Sequence, residues 1–187
     1  MAGIKPWKVL KSDLDNSYRV FRVRTDHSQS PRTGREHKFF VLESCPWVNV
    51  IPLTKDKEVV LIHQYRHGIR KVTLEIPGGL VDPGRTPLEA AKKELLEETG
   101  CSASRWTDLG WVHPNPAILD NRCYTYIAHD VDYFGAQQLD DAEDIQTCLH
   151  PLSEVPSLIK NGDITHALVL AAFYRLFVEY NPVAFHE

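Results

Sequence analysis

Three glutamates at the end of one short segment are the side chains of this sequence best suited to chemistry. Glu94, Glu97 and Glu98 lie near the end of GGLVDPGRTPLEAAKKELLEETGC, which spans residues 78–101. Helical residues three and four apart share a face, so these carboxylates point the same way on a helix. Like charges crowded together repel unless a cation lies among them, and hard divalent cations such as Mg²⁺ take oxygen ligands. The spacing therefore predicts a metal site.

The residues around these acids predict a helix with defined ends. Thr86-Pro87-Leu88-Glu89 is a capping box with proline at the first helical position. Gly100 is placed to end the helix in a left-handed turn. Before the helix, Gly78, Gly79 and Gly84 allow the backbone to approach another group closely. A solvated acidic helix after a turn is the alternative, and the combination of these features disfavours it.

The segment resembles the signature box of the Nudix hydrolase family, and the match runs from Gly79 to Cys101. Arg85 stands where the box has its first glutamate, and Lys93 stands where it has an arginine. Both family positions support the loop and the helix, but two cations cannot pair with each other. Glu89 lies four residues from each, and we expect it to bridge them. A weakened or inactive enzyme is the alternative, because lysine lacks the bidentate fork of arginine.

Residues outside the box narrow the resemblance to the ADP-ribose pyrophosphatase branch. The stretches Gln64-Tyr65-Arg66 and Leu74-Glu75-Ile76-Pro77-Gly78-Gly79 are typical of that branch, and so is Pro116. The resemblance implies Mg²⁺-dependent hydrolysis of nucleoside diphosphate sugars, with Mn²⁺ as a second candidate cofactor. It favours ADP-ribose as the substrate, with AMP and ribose 5-phosphate as products.

The chemistry of a diphosphate assigns roles to these residues. Metal ions can neutralise its charge, activate a water molecule and orient the leaving group. The expected metal ligands are Glu94, Glu97 and Glu98, with the Gly78 carbonyl added from the resemblance. Glu97 is also expected to take part in catalysis.

Substrate binding and proton transfer are expected from other segments. Arg66 is the candidate partner of the diphosphate because its fork matches phosphate oxygens, with a surface salt bridge as the alternative. Glu75 would meet the metal site or a ribose, or it is an ordinary charge at a strand edge. Pro116 is carried over as a substrate-side residue. The resemblance places a general base in the acidic stretch of residues 139–145, with Glu143 as the first choice and Asp141 as the second, against a solvated acidic loop.

Composition and cysteine usage fit one enzyme of moderate size. The chain has 187 residues, of which 43% are hydrophobic, enough to bury a core. A net charge of -4 gives no general affinity for nucleic acid, so none is expected as a partner. The four cysteines show no Cys-x-x-Cys pair, and no apolar signal core or membrane span is recognisable. A cytoplasmic location is the expectation.

Two regions are expected along the chain. Residues 1–45 predict a small N-terminal antiparallel β arm, with strands at Trp7–Leu10, Tyr18–Arg24 and Lys38–Leu42 and a connector at residues 27–34. Such an arm is too small to hold a core alone, and in relatives it mediates dimerisation, so we expect a homodimer. Residues 46–187 predict an α+β domain, which the resemblance identifies as the Nudix α/β/α sandwich with a mixed sheet. Its last two helices are expected at about residues 153–160 and 165–180.

Three alternative functions stay open at this point. The first is a broader sugar-nucleotide hydrolase, for example one that acts on GDP-mannose. Relatives of that kind often carry Asp-x-Lys after the Gly-x-Ile of the last helix, and Gly162-Asp163-Ile164 is not followed by it. The second is a dinucleotide pyrophosphatase. The third is a non-catalytic ADP-ribose sensor, which Arg85 and Lys93 favour and the intact Glu94, Glu97 and Glu98 oppose.

Overall fold

The structure is a computed structural model that describes residues 3–133 and 135–180. The chain divides into two compact units. The first contains the described residues up to Cys45 together with His113–Asn121. The second contains Pro46–Val112 and the described residues from Arg122 onward. Residues 181–187 of the expected second region lie outside the described residues.

The first unit is a three-stranded antiparallel sheet. Its strands are β1 (Lys8–Ser17), β2 (Arg22–Gln29) and β3 (Glu36–Glu43), in the order β1-β2-β3. The segment His113–Asn121 joins this sheet at β3, where Leu42 N donates to Ile118 O at 2.7 Å. Ser44 N also donates to Asp120 Oδ1 at 3.2 Å. Sequence analysis did not anticipate that this distant segment belongs to the first unit.

The expected position of the second strand is wrong by four residues. Residues 18–21 form the turn between β1 and β2, closed by a 2.8 Å hydrogen bond from Tyr18 N to Phe21 O. His27–Gln29, expected in a connector, pair with β3. The turn contains aromatic and β-branched residues but neither glycine nor proline, so its composition favours a strand. Pairing with β3 overrides that local preference.

The second unit contains a seven-stranded mixed sheet. Its strands are β4 (Trp47–Leu53), β5 (Glu58–Arg66), β6 (Lys71–Glu75), β7 (Gly78–Leu80), β9 (Arg105–Val112), β10 (Cys123–His129) and β12 (Ile145–Pro151). The central order is β12-β5-β4-β10-β9, with β6 paired to β5 and β7 paired to β4. β10 runs parallel to β4, and the other pairs are antiparallel. Two further short strands, β8 (Cys101–Ser102) and β11 (Asp132–Tyr133), pair with each other.

Strands β4 and β5 pair at one end and separate at the other. Leu53 of β4 pairs with Val59 of β5, whereas the far half of β5 pairs with β6. The opposite half of β4 pairs with β7, and Val50 N donates to Pro77 O at 2.8 Å. The segment from β6 to β7 therefore fills the opening between two central strands. This position brings the end of β6 and the glycines of β7 into the middle of the sheet.

Helices cover both faces of this sheet, so the expected α/β/α arrangement is confirmed. Helix α1 (Pro87–Thr99) covers one face, and α2 (Val155–Asn161) and α3 (Ala167–Arg175) cover the other. A π-helical turn at Leu176–Tyr180 continues α3. The α1 side is filled by Val48, Val50, Val60, Ala91 and Leu95, and the opposite side by Ile51, Leu61, Ile127, Val169 and Phe173.

No helix among the described residues is long and apolar enough to cross a membrane. The four cysteines of the chain, Cys45, Cys101, Cys123 and Cys148, are all free thiols.

Candidate active site

The helix that carries the acids begins and ends where its capping residues predict. Thr86 N donates to Glu89 Oε2 at 2.8 Å, and Glu89 N donates to Thr86 Oγ1 at 3.3 Å, which completes the capping box. Gly100 ends the helix in the left-handed region, with φ of 70°. The bounds Pro87–Thr99 follow from these local contacts. They fix the direction in which each glutamate leaves the helix.

Two of the three glutamates lie directly against the glycines of β7. Gly78 N donates to Glu98 Oε2 at 2.8 Å. A Cβ atom at Gly79 would lie 2.7 Å from Glu94 Oε1, and a Cβ at Gly78 would overlap the carbonyl oxygen of Val48. Position 78 therefore requires glycine, because a side chain would clash with the backbone of the neighbouring strand, and a side chain at Gly79 would displace the Glu94 carboxylate. The chain packs its backbone against these acids instead of covering them with a side chain.

Burial makes these two carboxylates unusually hard to ionise. Burial raises the pKa of Glu98 to about 8, and the hydrogen bond from Gly78 offsets only part of this effect. Burial likewise raises the pKa of Glu94 to about 7, with a smaller opposing effect from Lys93. The negative charge of Glu143 raises both pKa values further. Two acids in this state would be stabilised as anions by an added cation.

Glu97 has a different partner from the other two acids. Lys93 Nζ lies 2.8 Å from Glu97 Oε2 and 4.0 Å from Glu94 Oε1. The side chain of Glu97 is 32% exposed, against 13% for Glu94. The three acids on this face of α1 are therefore not equivalent, because Glu97 already pairs with a cation of its own helix.

The expected bridge from Glu89 to Arg85 and Lys93 is wrong. Arg85 Nε lies 3.7 Å from Asp82 Oδ2, and Lys93 pairs with Glu97. Glu89 is used by the capping box, where its carboxylate accepts from the backbone and the hydroxyl of Thr86. Two backbone-directed bonds at the helix start therefore take precedence over an exposed ion pair.

Arg66 and Glu75 form a bidentate pair beside the acidic helix. Arg66 Nε donates to Glu75 Oε1 at 2.8 Å, and Arg66 Nη2 donates to Glu75 Oε2 at 2.7 Å. Glu75 is 1% exposed, whereas the Arg66 side chain is 41% exposed. The hydrogen bonds to Glu75 raise the pKa of Arg66, and the negative charge of Glu98 on α1 raises it further. Arg66 is therefore influenced by two buried carboxylates.

The sequence predicts neither the pairing of Glu75 with Arg66 nor the two further partners of Glu75. Thr73 Oγ1 donates at 2.6 Å, and His166 Nδ1 lies 2.7 Å from Glu75 Oε2. Burial alone would raise the pKa of Glu75, but the hydrogen bonds from Arg66, His166 and Thr73 hold it far below its usual range. Alternation in β6 places Thr73 and Glu75 on one face and could have indicated the first partner. His166 follows Glu75 by 91 residues, and no local pattern connects them.

The acidic loop before β12 is attached to the end of α1. Gln138 N donates to Glu97 O at 2.8 Å, and Gln137 Nε2 donates to Glu98 O and to Ile145 O. Glu143 Oε2 accepts from Asp140 N at 3.1 Å within the loop. The negative charge of Glu143 helps to raise the pKa of both Glu94 and Glu98, and Asp141 is exposed.

Pro116 belongs to the first unit, where it is exposed in the segment His113–Asn121. That unit also contains a cleft of about 670 Å³, lined by Trp7, His37 and cationic residues of the N-terminal arm. The cleft contains none of the candidate site residues.

The donor set suits a hard divalent cation that completes its coordination from outside the protein. Within residues 3–133 and 135–180, no group of three or more His, Cys, Asp or Glu side chains is arranged as a metal cluster by itself. Magnesium sites that act on phosphates commonly use one or two carboxylates, with water and substrate oxygens as the other ligands. Glu94 and Glu98, buried together with raised pKa values, fit that requirement.

Comparison with known proteins defines the class. The NUDIX domain family model matches residues 43–173, which is most of the chain. The chain therefore belongs to the NUDIX domain family, and it is a pyrophosphohydrolase of that family, whose members generally use a divalent metal.

Individual relatives extend over most of the chain. ADP-ribose pyrophosphatase of Mycobacterium tuberculosis is 26% identical over 170 residues, which cover 88% of this chain and 80% of the relative. Methanol dehydrogenase activator of Bacillus methanolicus is 29% identical over 170 residues, covering 90% of this chain and 91% of the relative. A crystal structure of an ADP compounds hydrolase matches with a TM-score of 0.85 at 22% identity, over 100% of both chains, and shows the fold.

Proposed function

We propose that this protein hydrolyses the diphosphate of nucleoside diphosphate sugars in a Mg²⁺-dependent reaction, with ADP-ribose as the preferred substrate and AMP and ribose 5-phosphate as products. The observation that carries this proposal is the pair Glu94 and Glu98, buried against the glycines of β7 with a half-exposed arginine nearby. The similarity to ADP-ribose pyrophosphatase of Mycobacterium tuberculosis supports the choice of substrate.

The proposed metal ligands are Glu94, Glu98 and the Gly78 carbonyl, with Glu97 joining them when it leaves Lys93. When bound there, Mg²⁺, or Mn²⁺ in its place, would neutralise the diphosphate and lower the pKa of a water nucleophile. The contribution of the chain is to hold these oxygens in place. Gly78 N orients Glu98 by a direct hydrogen bond, and the absence of a side chain at Gly79 leaves room for Glu94.

Arg66 is the proposed partner of the diphosphate. Two of its nitrogens are committed to Glu75, and Nη1 makes no hydrogen bond to the described residues. A guanidinium held along one edge by a buried carboxylate can present its other edge to phosphate oxygens. Glu75 then contributes to substrate binding through Arg66.

Glu143 is the proposed general base, and Asp141 is the second candidate. Glu143 is the loop acid whose charge influences both Glu94 and Glu98, which supports this order. The loop is joined to α1 through Gln138 and the Glu97 carbonyl, so its position depends on the helix that carries the ligands. Glu97 lies at this junction, which supports a contribution of Glu97 to catalysis.

We also propose that the protein is a homodimer formed through the three-stranded sheet of the first unit. Nearly all of β1 is exposed. Large apolar residues exposed on this sheet include Leu14 at 57% and Phe40 at 64%. A second copy that covers them would remove apolar surface from water.

A cytoplasmic location is proposed as well, and the four free thiols support it, because reducing compartments keep cysteines unpaired.

A panel of substrates tests the proposed reaction. ADP-ribose, GDP-mannose, NAD and buffer would be incubated with the protein and Mg²⁺, and a phosphatase would convert the phosphomonoester products into free phosphate. The intact diphosphates resist that phosphatase, so phosphate reports hydrolysis. We expect the highest kcat/KM for ADP-ribose. A higher value for GDP-mannose or NAD would select one of the alternative enzymes.

Binding measurements separate the enzyme from a sensor. Calorimetry with ADP-ribose and Ca²⁺ would report affinity under conditions that disfavour turnover. Tight binding with no phosphate release in Mg²⁺ or Mn²⁺ would contradict hydrolysis and support a sensor. The oligomeric state is tested by light scattering, where Phe40→Asp is expected to give monomers, and a monomeric wild-type protein at micromolar concentration would contradict the dimer.

A further inference from the structure

His166 is a half-exposed histidine whose side chain makes one hydrogen bond to the described residues, to Glu75. It is the residue directly before α3 and is far from Arg66 in the sequence. Its side chain is 36% exposed, whereas the apolar neighbours Ile164 and Leu168 are 1% and 8% exposed. The neighbours therefore provide the packing at this position, and His166 provides a polar contact.

The protonation of Glu75 determines which nitrogen of His166 carries a proton. The pKa of Glu75 is held far below its usual range, so the carboxylate is ionised and can only accept hydrogen bonds. The 2.7 Å contact with His166 Nδ1 is thus an Nδ1–H donor bond. Arg66 Nη2 donates to the same oxygen, also at 2.7 Å. One oxygen of Glu75 is therefore fixed between the histidine and the arginine.

The helix that directly follows His166 is firmly attached to the sheet. Asn49 Nδ2, from β4, donates to the Leu168 carbonyl in the first turn of α3 at 3.2 Å. Val169 and Phe173 of α3 are fully buried in the core below. His166 is the residue before this helix, and its carbonyl accepts from Leu170 N at 3.0 Å, so the imidazole extends from a backbone position that the helix holds in place.

We propose that His166 is a positioning residue for substrate binding, which holds Glu75 and through it the Arg66 guanidinium in the orientation that receives the diphosphate. This inference depends on the proposed role of Arg66. Thr73 anchors the other oxygen of Glu75 at 2.6 Å, so the carboxylate is held at both ends. Loss of the histidine would leave Oε2 of Glu75 held by Arg66 alone, and the guanidinium would then have to be ordered by the substrate at a cost in affinity.

Steady-state kinetics of three variants tests this role. We expect His166→Ala to raise KM for ADP-ribose by about 5- to 10-fold while kcat changes by less than about 2-fold, because a binding contact is weakened without loss of the reacting groups. His166→Asn should restore most of the wild-type KM, since its amide can donate from near the position of Nδ1. His166→Phe keeps a ring but no donor and should behave like alanine.

His150 offers a matched control. Its Nδ1 lies 3.5 Å from Glu154 Oε2, so it is also a histidine beside a carboxylate. It pairs with Val59 near the start of β5, and Arg66 is the last residue of that strand, about 20 Å away at the usual rise per residue. His150→Ala should leave KM unchanged.

A double-mutant cycle with Arg66→Ala separates the failure of this inference from the failure of the proposed function. We expect Arg66→Ala to raise KM strongly and His166→Ala to add nothing further in that background. If Arg66→Ala leaves KM unchanged, the proposed role of Arg66 is wrong. If Arg66→Ala raises KM but His166→Ala does not, or if the two effects multiply, the positioning role is overturned. Should His166→Ala not fold, a raised KM in soluble His166→Asn would overturn it as well.

Discussion

Glu75 and Glu98 are two buried carboxylates of the same unit, 1% and 2% exposed, and their surroundings are opposite. Glu75 accepts hydrogen bonds from an arginine, a histidine and a threonine. Glu98 accepts one backbone hydrogen bond among the described residues, from Gly78 N. The pKa of Glu75 is accordingly held low, and the pKa of Glu98 is raised to about 8.

The difference shows where the chain supplies its own positive charge and where it requires one from outside. A buried carboxylate is costly unless donors or cations compensate for its lost hydration. Glu75 has full compensation within the protein, so it suits a supporting role. Glu98 has little, so its anionic form depends on a partner that the chain lacks. The two glutamates thus differ in the source of compensation: protein donors stabilise the charge of Glu75, whereas the charge of Glu98 requires a bound cation.

The largest expected effect comes from Glu98→Gln. We expect turnover to fall by about 100-fold or more, because a neutral amide is a poor replacement for a carboxylate ligand. The metal-free variant should also be more stable than the wild type at pH 8, by about 1–3 kcal/mol, because a poorly compensated buried charge is removed. Activity at saturating Mg²⁺ and urea unfolding in EDTA would measure both quantities.

Glu97→Gln is the matched control for that variant. Glu97 is 32% exposed and paired with Lys93, so its replacement should give no gain in stability. Near-normal turnover of Glu98→Gln at saturating Mg²⁺ would contradict the metal site, and lower stability in EDTA would contradict the comparison.

Glu75→Gln should change stability in the opposite direction. An amide cannot accept from Arg66, Thr73 and His166 as a carboxylate does, and it leaves the guanidinium without its counter-charge. We expect a loss of about 1–3 kcal/mol, reduced from the value for a fully buried pair because Arg66 is 41% exposed. Urea unfolding at pH 7 would measure it. A gain in stability would show that Glu75 is as poorly compensated as Glu98.

The pH dependence of the free energy of unfolding in EDTA should show the effects of both the lowered and the raised pKa values. The lowered pKa of Glu75 gives stability that is present above its ordinary value of 4.5 and is lost as the pH falls below it. The raised pKa values of Glu94 and Glu98, about 7 and about 8, make the folded state less stable as the pH rises from 4.5 through that range. We therefore expect maximal stability in mildly acidic solution.

Two variants show which glutamate causes the decline in stability at alkaline pH and which causes the decline at acid pH. Glu98→Gln should weaken the alkaline decline, and Glu75→Gln should weaken the acid decline. Saturating Mg²⁺ should oppose the alkaline decline in the wild type, because the ion binds the deprotonated carboxylates. An alkaline limb that is the same in wild type and Glu98→Gln would contradict the assignment.

The smallest effect is expected from Lys93. Its ammonium lies 2.8 Å from Glu97 and 4.0 Å from Glu94, where it offsets part of the charge that attracts a metal. We expect Lys93→Gln to lower the Mg²⁺ concentration at half-saturation by about 3-fold, allowing for solvent screening of a partly exposed pair. Thermal shift against Mg²⁺ concentration would measure it. Lys92→Gln makes the same charge change at an exposed neighbour and should have little effect, and equal shifts in both variants would indicate net charge as the cause.

Helix α1 could be located from sequence because its signals are local. The capping box at Thr86–Glu89 and the terminal Gly100 act within a few residues of the helix ends, so the bounds Pro87–Thr99 follow from sequence alone. The candidate metal ligands could be chosen from sequence for the same reason, because helical spacing determines which acids share a face. That spacing did not show that Lys93 would take Glu97 rather than Glu89.

The features that sequence could not give depend on distant partners. Strand β2 starts at Arg22 because its residues pair with β3, a preference that the aromatic turn before it conceals. The hydrogen bonds to Glu75 come from β5, from β6 and from the residue before α3, and the histidine among these donors lies 91 residues from Glu75. These strand pairings and hydrogen bonds form only when distant segments come together in the folded chain, so no periodic sequence pattern predicts them.

The two-segment construction of the first unit has a consequence for synthesis on the ribosome. Ser44 and Asp120, which bond within this unit, are 76 residues apart. At translation rates of about 5–20 residues per second, the nascent N-terminal sheet waits about 4–15 seconds for its last segment. During that interval the backbone of Leu42 in β3 lacks its later partners Ile118 and Asp120, so this edge of the sheet is available to chaperones and to neighbouring nascent chains. We therefore expect assembly of this protein to be sensitive to how fast residues 46–121 are translated.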